Sequence, residues 1–344
     1  MKRLRVVPLA SMAALAIGLA ACSSSHSSAA GATAAGATSG SLAARAKAAF
    51  PNGVTFLDGS AAGGSSDIQA RLVINDLKPI LGVPVNIQYQ TGGGGLQAAS
   101  SVYRAAPDSG TVMLANSTLP GLDQDFLASD LKADNYTPIA RVYGDDPVVL
   151  LAKKGSQWTS LAALKKASAA GQTITVGATQ DVSGTRLAVA LLAVSEHLKI
   201  SVVPFSTGTT AADAAIGGSV DLAVTLIPQA QQLDSSGKTQ GVVQFGAAAN
   251  PSLPGVQAVG EIGLAGDEVV QDSGLVGPPN MPADQVQVLQ DALKQESANA
   301  DFRKQIKTQA LVSSFAEASA WGKELDGFSA TVSSKRSAIQ PYMR

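Results

Sequence analysis

The sequence predicts an α/β protein with two lobes, each a mostly parallel sheet flanked by helices. Short runs of β-branched residues alternate with longer helical stretches, which is the pattern of strand–helix units in a parallel sheet. The alternation starts a second time after a helix predicted over residues 161–169. With 344 residues, the chain is also long enough to form two lobes.

The N-terminal segment has the features of a signal peptide. Residues 2–5 include three cationic side chains, residues 6–19 are an apolar run, and small residues precede Cys22. The run is shorter than the roughly 20 residues that span a bilayer, so we expect residues 1–21 to be cleaved. Residues 19–22, Leu-Ala-Ala-Cys, resemble a bacterial lipobox, and this resemblance implies a lipid on Cys22. An ordinary signal peptide with a chance cysteine is the alternative.

Residues 22–49 are predicted to form a disordered tether between the lipid and the folded body. Most of this segment, residues 23–40, is almost entirely Ser, Ala, Gly and Thr, a composition that cannot bury enough apolar surface to offset chain entropy. The protein is therefore expected outside the cytoplasm, lipid-anchored to the cell membrane through Cys22, with a reach set by the flexible tether.

The composition argues against a nucleic-acid partner and against a disulfide. The net charge is −1 and only 15% of the residues are charged, which argues against a nucleic-acid-binding protein. Cys22 is the single cysteine, so the lipidated body is predicted to contain no disulfide. We expect a monomer without a metal or an organic cofactor.

The first lobe is predicted to comprise residues 50–149 and 272–344. Three of its strands end in loops of small polar residues, at residues 58–66, 91–95 and 116–118. The strands predicted up to the second lobe are residues 54–57, 85–89, 111–115, 138–142 and 148–152, and the helices are residues 67–81 and 96–105.

The second lobe, residues 150–271, repeats this organisation. Loops at residues 178–184 and 206–208 again connect a strand to a helix. Its predicted strands are residues 173–177, 201–204, 220–225 and 241–247, and its helices are residues 161–169, 185–198, 209–216 and 228–233. The C-terminal part is predicted to contain a return crossing at residues 269–276 and helices at residues 283–298, 301–309 and 317–339.

The chain offers few groups for catalysis. His26 lies in the tether and His197 at a predicted helix end, where we expect an exposed imidazole or a helix-dipole role. The G-x-S-x-G elbow of serine hydrolases is absent from the sequence. A secreted hydrolase or lyase is the alternative to a binding protein, and it would need a perturbed carboxylate in the cleft, with Asp67 or Glu196 as the candidate.

One short motif match is interpreted as accidental, and one glycine run fails the motif that it partly resembles. Residues 235–238 match S-x-x-K but also fit a polar turn between a helix and a strand. Residues 92–95 fail as a dinucleotide fingerprint because Gln97 occupies the position of its third glycine. The acidic pairs Asp145–Asp146 and Asp267–Glu268 adjoin turn residues and are expected to be solvated.

The remaining signal is a set of glycine- and hydroxyl-rich loops that lie between parallel strands and helix N-termini. Free N–H groups in the first turn of a helix carry a partial positive charge, and Ser or Thr hydroxyls add donors. In open α/β sheets such loops gather at the carboxyl ends of the strands, where ligands bind. One such loop is explained equally by a tight connection with a cap, but four in one chain predict a site for a small anion.

These loops resemble motifs of the extracytoplasmic solute-binding proteins of tripartite tricarboxylate transporters. Residues 63–71, Gly-Gly-Ser-Ser-Asp-Ile-Gln-Ala-Arg, are similar to that family's first glycine loop and the helix start that follows it. Residues 91–96 and 105–108 resemble its second glycine loop and its Ala-Pro-Asp-Gly turn. Residues 203–205, Val-Pro-Phe, together with the later pair Gly217–Gly218, resemble its Val-Pro-Tyr and Gly-Gly pair.

This resemblance implies a type II periplasmic-binding-protein-like fold, in which two α/β lobes are joined by a two-strand hinge and enclose a small organic carboxylate. It also implies integral membrane transporter subunits as partners and no catalysis. The ligand-binding positions carried over from the family are Ser60, Ala62, Gly64, Ser65, Ser66, Gly93, Gly94, Gly95, Asn116, Ser117, Ser183, Gly184, Thr207, Gly208, Thr209 and Thr225.

Three residues depart from the family pattern. Thr91 replaces a proline, Arg186 stands where a histidine is common, and Thr225 stands where many members have an aspartate. An acid at position 225 would suit an amino group on the ligand, so its absence leads to the hypothesis that the ligand has no amine. Citrate, a shorter dicarboxylate and an aromatic acid all remain open as ligands.

Overall fold

A computed structural model describes residues 40–60, 62, 65–92, 95–118, 122, 125–126, 131, 135–144, 146–179, 182–309 and 311–343. Cys22, the predicted signal peptide and residues 22–39 of the predicted tether lie outside the described residues. Residues 40–344 belong to one unit, which contains both sheets. Within the described ranges, no helix has the length and hydropathy that a membrane span requires.

Strands and helices alternate along the chain, as the sequence predicts. The described residues contain eleven strands, which are β1 (Val54–Asp58), β2 (Val85–Tyr89), β3 (Thr111–Asn116), β4 (Thr137–Gly144), β5 (Val148–Lys153), β6 (Ile174–Thr179), β7 (Ile200–Phe205), β8 (Leu222–Leu226), β9 (Thr239–Gln244), β10 (Ser273–Gly277) and β11 (Val312–Glu317). They also contain ten α-helices, which are α1 (Leu42–Ala49), α2 (Ser65–Leu81), α3 (Leu96–Arg104), α4 (Leu161–Ala169), α5 (Gly184–Ser195), α6 (Gly208–Gly217), α7 (Ile227–Ser235), α8 (Ala283–Ala298), α9 (Ala300–Thr308) and α10 (Ala318–Ile339).

The first sheet has the strand order β11-β4-β10-β3-β1-β2. Its strands β1, β2 and β3 are parallel, whereas β10 runs antiparallel to both β3 and β4. Successive side chains of a strand point to opposite faces. Phe56 of β1 therefore packs in one core with Leu77 of α2 and Leu289 of α8, while the neighbouring Leu57 packs in another core with Val102 of α3.

The second sheet has the strand order β7-β6-β8-β5-β9. β6 is parallel to β7 and β8, and β5 is antiparallel to β8 and β9. Helix α5 is apolar along most of its length and is largely buried, with Leu187 packed against Val176 of β6 and Leu150 of β5 in one core. The predicted α/β fold with two lobes is confirmed.

Two extended segments connect the lobes. The first segment joins β4 to β5, and the second leads from the second lobe back to β10. The two segments pair with each other. Pro147 forms an antiparallel bridge with Val270, and the N–H of Gln271 donates to the carbonyl oxygen of Asp146 at 3.0 Å. This pair of segments is the two-strand hinge that the family resemblance implies.

Helix α10 makes a third connection between the lobes. Trp321 and Leu325 in its first half pack with the first sheet, whereas Val332 and Ile339 in its second half lie in the core of the second lobe. Its 22 residues extend about 33 Å at 1.5 Å per residue, enough to reach both cores. The prediction that residues 272–344 lie wholly in the first lobe is therefore wrong for the end of the chain.

The prediction that the tether extends to residue 49 is also wrong at its C-terminal end, because helix α1 occupies part of that segment. The side chain of Ser41 caps α1 by accepting from the N–H of Ala44 at 3.3 Å. Ala46 and Phe50 are buried, and Arg45 forms an ion pair with Asp291 of α8 at 2.6 Å. Alanine has the highest helix propensity, so an alanine-rich segment folds once a neighbouring helix covers its small apolar face.

Strand β11 is not predicted by the sequence pattern. It pairs with β4 at the edge of the first sheet, and most of its residues are only partly buried. Its Ser-Ser sequence lacks a clear apolar alternation, and the pairing comes from tertiary contact with β4.

Candidate functional site

The loops that follow β1 and β2 meet at one edge of the first sheet. Because β1, β2 and β3 are parallel, their carboxyl ends lie at the same edge. A Cβ atom at Gly59 would lie 2.6 Å from the Cα of Gly95, so the backbones of the two loops are in close contact. Gly95 precedes α3 with φ 103°, a left-handed conformation that favours glycine.

The loops that follow β7 and β8 meet in the same way in the second lobe. Helix α6 begins at Gly208 after Thr207, and a Cβ atom at Gly208 would lie 2.9 Å from Oγ1 of Thr225. Thr225 donates its hydroxyl to Gln229, whose Nε2 donates to Oγ1 of Thr209 at 2.6 Å. Thr225 is 3% exposed, so it positions these loops and presents almost no surface to a ligand in this conformation.

The loops that follow β3 and β6 approach each other across the hinge. A Cβ atom at Gly184, the first residue of α5, would lie 3.2 Å from Cγ2 of Thr118 and 2.9 Å from Nε2 of Gln271. Thr118 follows β3 of the first sheet, and Gln271 belongs to the returning hinge segment. The N-terminus of α5 therefore faces the strand ends of the other lobe.

The first turn of α5 is rich in hydrogen-bond donors. Ser183 caps the helix by accepting from the N–H of Arg186 at 3.4 Å. Its hydroxyl lies 2.6 Å from that of Thr179 and 3.0 Å from that of Thr185. The first-turn N–H groups of Gly184 and Thr185 have no intrahelical acceptor, because the first four amides of a helix lack one, and they carry the positive end of the helix dipole. An anion placed here would meet amides and hydroxyls together.

Helix α6 has a similar N-terminus, which carries a reciprocal cap. Oγ1 of Thr207 accepts from the N–H of Thr210 at 3.1 Å, and the N–H of Thr207 donates to Oγ1 of Thr210 at 3.2 Å. This reciprocal cap engages two of the donors at this end. The amides of Gly208 and Thr209 are the remaining first-turn donors.

Several predicted ligand donors in the first lobe are engaged within the protein. Ser60 donates both its N–H and its hydroxyl to Oδ1 of Asp58, at 2.8 and 2.7 Å. Ser117 donates its hydroxyl to the carbonyl oxygen of Val270 at 2.9 Å, so it ties β3 to the hinge. Oδ1 of Asn116 accepts from the N–H and from the hydroxyl of Thr118, at 3.1 and 2.6 Å.

The other predicted positions in the first lobe are only partly placed by the structure. Ala62 is exposed in a turn. Gly64, Gly93 and Gly94 lie outside the described residues. Ser65 opens α2, and Ser66 beside it borders a cavity between the lobes.

This cavity has a volume of about 40 Å³ and is lined mainly by polar groups. Of the predicted site residues that the structure describes, Ser66 and Asn116 border it. The lining residues that the sequence patterns do not identify are Gln69, Leu114, Asp146, Leu226, Gln271 and Ser273. The return crossing predicted over residues 269–276 is the one sequence signal that could have indicated two of them, because a crossing strand must pass between the lobes.

Among the described residues that line the cavity, Asp146 is the ionisable one, and the expectation that it is solvated is wrong. It is 7% exposed and its carboxyl accepts a hydrogen bond from the backbone N–H of Ile227, the first residue of α7. Burial raises the pKa of Asp146 from its ordinary 3.8 to about 7; the bond from Ile227 opposes this rise and the charge of Asp272 adds to it. Among the described residues, Oδ1 of Asp146 has no hydrogen-bond partner.

The two acids proposed for the enzyme alternative lie elsewhere. Asp67 is 2% exposed and accepts hydrogen bonds from Nε of Arg71 at 3.0 Å and from the hydroxyl of Tyr89 at 2.7 Å. Glu196 follows the last residue of α5 and pairs with Lys165. Neither residue borders the cavity, and no group of three or more His, Cys, Asp or Glu in the described part of the chain could hold a metal ion.

Comparison with known proteins gives one family. The model described as tripartite tricarboxylate transporter family receptor matches residues 69–323. The UPF0065 protein in the gbd 5′ region of Cupriavidus necator is 26% identical over 254 residues, which cover 72% of this chain and 75% of that protein.

Solved structures are similar over most of the chain. MatC (Rpa3494) from Rhodopseudomonas palustris, solved with bound malate, is 26% identical with a TM-score of 0.70, and the match covers 82% of this chain and 100% of that one. Rpa4515 of R. palustris, solved with adipate, has a TM-score of 0.71 at 20% identity, covering 85% of this chain and 98% of that one. The similarity to Rpa4515 supports the fold.

Proposed function

The chain belongs to the tripartite tricarboxylate transporter family of receptors, and from this membership we propose that it is a solute-binding lipoprotein outside the cytoplasmic membrane. It captures a small organic carboxylate and delivers it, chemically unchanged, to a tripartite tricarboxylate-type membrane transporter. Its relative MatC was solved with malate, which supports a small carboxylate as the ligand class.

The observation that carries this proposal is the approach of Gly184 to Thr118. It brings the donor-rich N-terminus of α5 in the second lobe to the strand ends of the first lobe. An anion between them is met by main-chain N–H groups and hydroxyls from both lobes. Such donors neutralise a carboxylate effectively once water is excluded, because hydrogen bonds to a charged acceptor are stronger in a low-dielectric site.

Ligand capture is proposed to be a hinge closure about the paired segments at Pro147 and Val270. Each lobe has its own sheet and its own core, so we expect bending to be concentrated in the segments that join them. Closure would bury the carboxylate and give the membrane subunits a conformation to recognise. The lipid proposed on Cys22 would keep the receptor at the membrane where those subunits reside.

The alternative, a secreted hydrolase or lyase, is not favoured by the positions of its candidate acids. Asp67 is held by Arg71 and Tyr89, and Glu196 pairs with Lys165 at the end of α5. The ligand is therefore expected to be recovered unchanged after long incubation with the protein. Appearance of a product at a rate that scales with protein concentration would favour the enzyme.

Isothermal titration with small carboxylic acids and their neutral amides tests the binding function. Succinate, malate, adipate and citrate form one set, and the corresponding amides form the control set. At least one acid should bind, and its amide should bind at least about a hundredfold more weakly, a difference of roughly 2.7 kcal/mol. The proposal fails if no acid binds, or if an amide binds as tightly as its acid.

A further inference from the structure

Asp146 lies where the two hinge segments cross and where the second lobe begins. Its backbone carbonyl accepts from the N–H of Gln271 in the returning segment at 3.0 Å. Its side chain is bonded by the N–H of Ile227 at the start of α7, directly after the end of β8. The residue therefore contacts both hinge segments and the second lobe, and its position is fixed by main-chain bonds.

One oxygen of this carboxyl is buried without a partner in the described part of the chain. Oδ1 has no hydrogen-bond partner among the described residues, and Asp146 borders the cavity of about 40 Å³ together with Ser66 and Asn116 of the first lobe. A cavity of this size holds a group comparable to one or a few water molecules. It matches an ammonium head group better than a whole dicarboxylate.

The charges around Asp146 favour a cation in this space. Asp272 is the charged group that acts on it, and Asp272 is itself paired with Arg141 at 3.2 Å. No described lysine or arginine pairs with Asp146. A desolvated carboxylate without a cation is costly, and an opposite charge within reach stabilises its ionised form. A second ligand carboxylate at the same place would be repelled.

Resting on the function proposed above, we propose that Asp146 determines the class of ligand: a carboxylic acid that also carries a protonated amine, which binds to Oδ1 of Asp146. The carboxylate of this ligand occupies the donors at the helix N-termini, and the amine enters the cavity at the hinge. This replaces the amine-free hypothesis, which depended on Thr225. An acid does lie at the end of β8, but this acid is Asp146 of the hinge. Its carboxyl accepts from the N–H of Ile227, two residues beyond Thr225.

Pairs of acids that differ only in an amine test this inference. The mature full-length protein is titrated with succinate and aspartate, with glutarate and glutamate, and with adipate and 2-aminoadipate. In the wild type, the amino member of at least one pair should bind at least about tenfold more tightly than its partner. In Asp146→Asn, which keeps the shape but removes the charge, this ratio should fall to about one.

Asp267→Asn is the matched control. Asp267 is also buried and has an oxygen without a hydrogen-bond partner among the described residues, but it pairs with Lys335 at 2.9 Å and does not border the cavity. The ratio should be unchanged in this variant. A cooperative urea unfolding transition shows that Asp146→Asn is folded.

Two results would overturn the inference. Tighter binding of the amine-free member of every pair by the wild type would show that Asp146 does not receive a cation and instead acts as a neutral acid. An equal preference for amines in the wild type and in Asp146→Asn would place the amine elsewhere. In both cases acids still bind and the proposed function stands, whereas failure of every acid to bind removes the proposed function itself.

Discussion

Gly184 at the start of α5 in the second lobe lies against Thr118 at the end of β3 in the first lobe. A Cβ atom at Gly184 would come within 3.2 Å of Cγ2 of Thr118 and within 2.9 Å of Nε2 of Gln271. Distances under about 3.4 Å require the neighbours to move. The lack of a side chain at this position therefore allows the first turn of one lobe to approach the strand ends of the other.

Gly184→Val is expected to weaken carboxylate binding at least about tenfold. Its branched side chain needs space that Thr118 and Gln271 occupy, so the lobes would be held apart and the ligand would lose donors from one side. Titration calorimetry with the tightest-binding acid measures the change. Gly217→Val is the control, because Gly217 at the end of α6 has no atom within 4 Å of its would-be Cβ. Equal affinity of the two variants would show that this contact does not limit closure.

The strand–helix order of both lobes could be predicted because each unit is encoded locally. Apolar runs bounded by glycine-rich loops mark β1, β2 and β6, and the parallel pairing of such strands places their carboxyl ends at one edge. This reasoning correctly brings the loops at Gly59 and Gly95 together. It relies on periodicity and turn chemistry, which a sequence displays directly.

Features that depend on distant contacts could not be predicted in this way. Asp146 follows Asp145 and precedes a proline, a pattern typical of a solvated turn, and its burial arises from contact with Ile227 and with the returning hinge segment. Helix α1 and the end of α10 likewise depend on partners far away in the chain, Asp291 and the second core. None of these contacts has a local signal.

The stability of the protein is expected to depend on pH through Asp146. Burial raises the pKa of Asp146 above its ordinary 3.8, to about 7, so the folded chain holds this proton more tightly than the unfolded chain. The contribution to stability is fully present below about pH 4 and is lost progressively as the pH rises toward about 7. Asp272, paired with Arg141, is the charge that acts on it.

Asp146→Asn removes this dependence. Relative to the wild type, its free energy of unfolding should increase as the pH rises from about 4 to about 7 and remain constant above that range. Urea denaturation across this range measures the difference. A constant difference between variant and wild type at every pH would show that the carboxyl is not desolvated.

Glu296 is a buried acid outside the candidate site, and its replacement by glutamine should stabilise the protein. It is 0% exposed, and both its carboxylate oxygens lack a hydrogen-bond partner among the described residues. Burial raises the pKa of Glu296 well above its ordinary value, and the charge of Asp76 adds to this rise. The wild type therefore loses stability as the pH rises above the ordinary carboxyl range, while Glu296→Gln does not.

The expected gain for Glu296→Gln grows by about 1.4 kcal/mol for each pH unit between the ordinary carboxyl range and the raised pKa of Glu296, and it should vanish in acid. Urea unfolding at two pH values measures it. Glu317→Gln is the control, since Glu317 pairs with Lys294 at the surface and such pairs contribute about 0–1 kcal/mol. A destabilised Glu296→Gln would mean that the carboxyl has a partner that only a charged group can satisfy.

Cys22→Ser tests the proposed lipid anchor independently of the site. Without a thiol the lipid cannot be attached, and membrane attachment requires more buried methylene groups than a polar tether provides. The variant should move from the membrane fraction to the soluble extracytoplasmic fraction, with its affinity for acids unchanged. An unchanged distribution between the fractions would reject the anchor and favour the ordinary signal peptide.

Ile339→Ala tests the third connection between the lobes. Ile339 is 0% exposed at the end of α10 and lies in the core of the second lobe, although α10 begins on the first sheet. Truncating a buried isoleucine to alanine typically costs about 2–5 kcal/mol, so the free energy of unfolding should fall by this amount. Val312→Ala on the edge strand is the control, because Val312 is 42% exposed and its loss should cost less than about 0.5 kcal/mol. If both substitutions cost equally little, the end of α10 is not packed in the second lobe, and the lobes are joined by the two hinge segments alone.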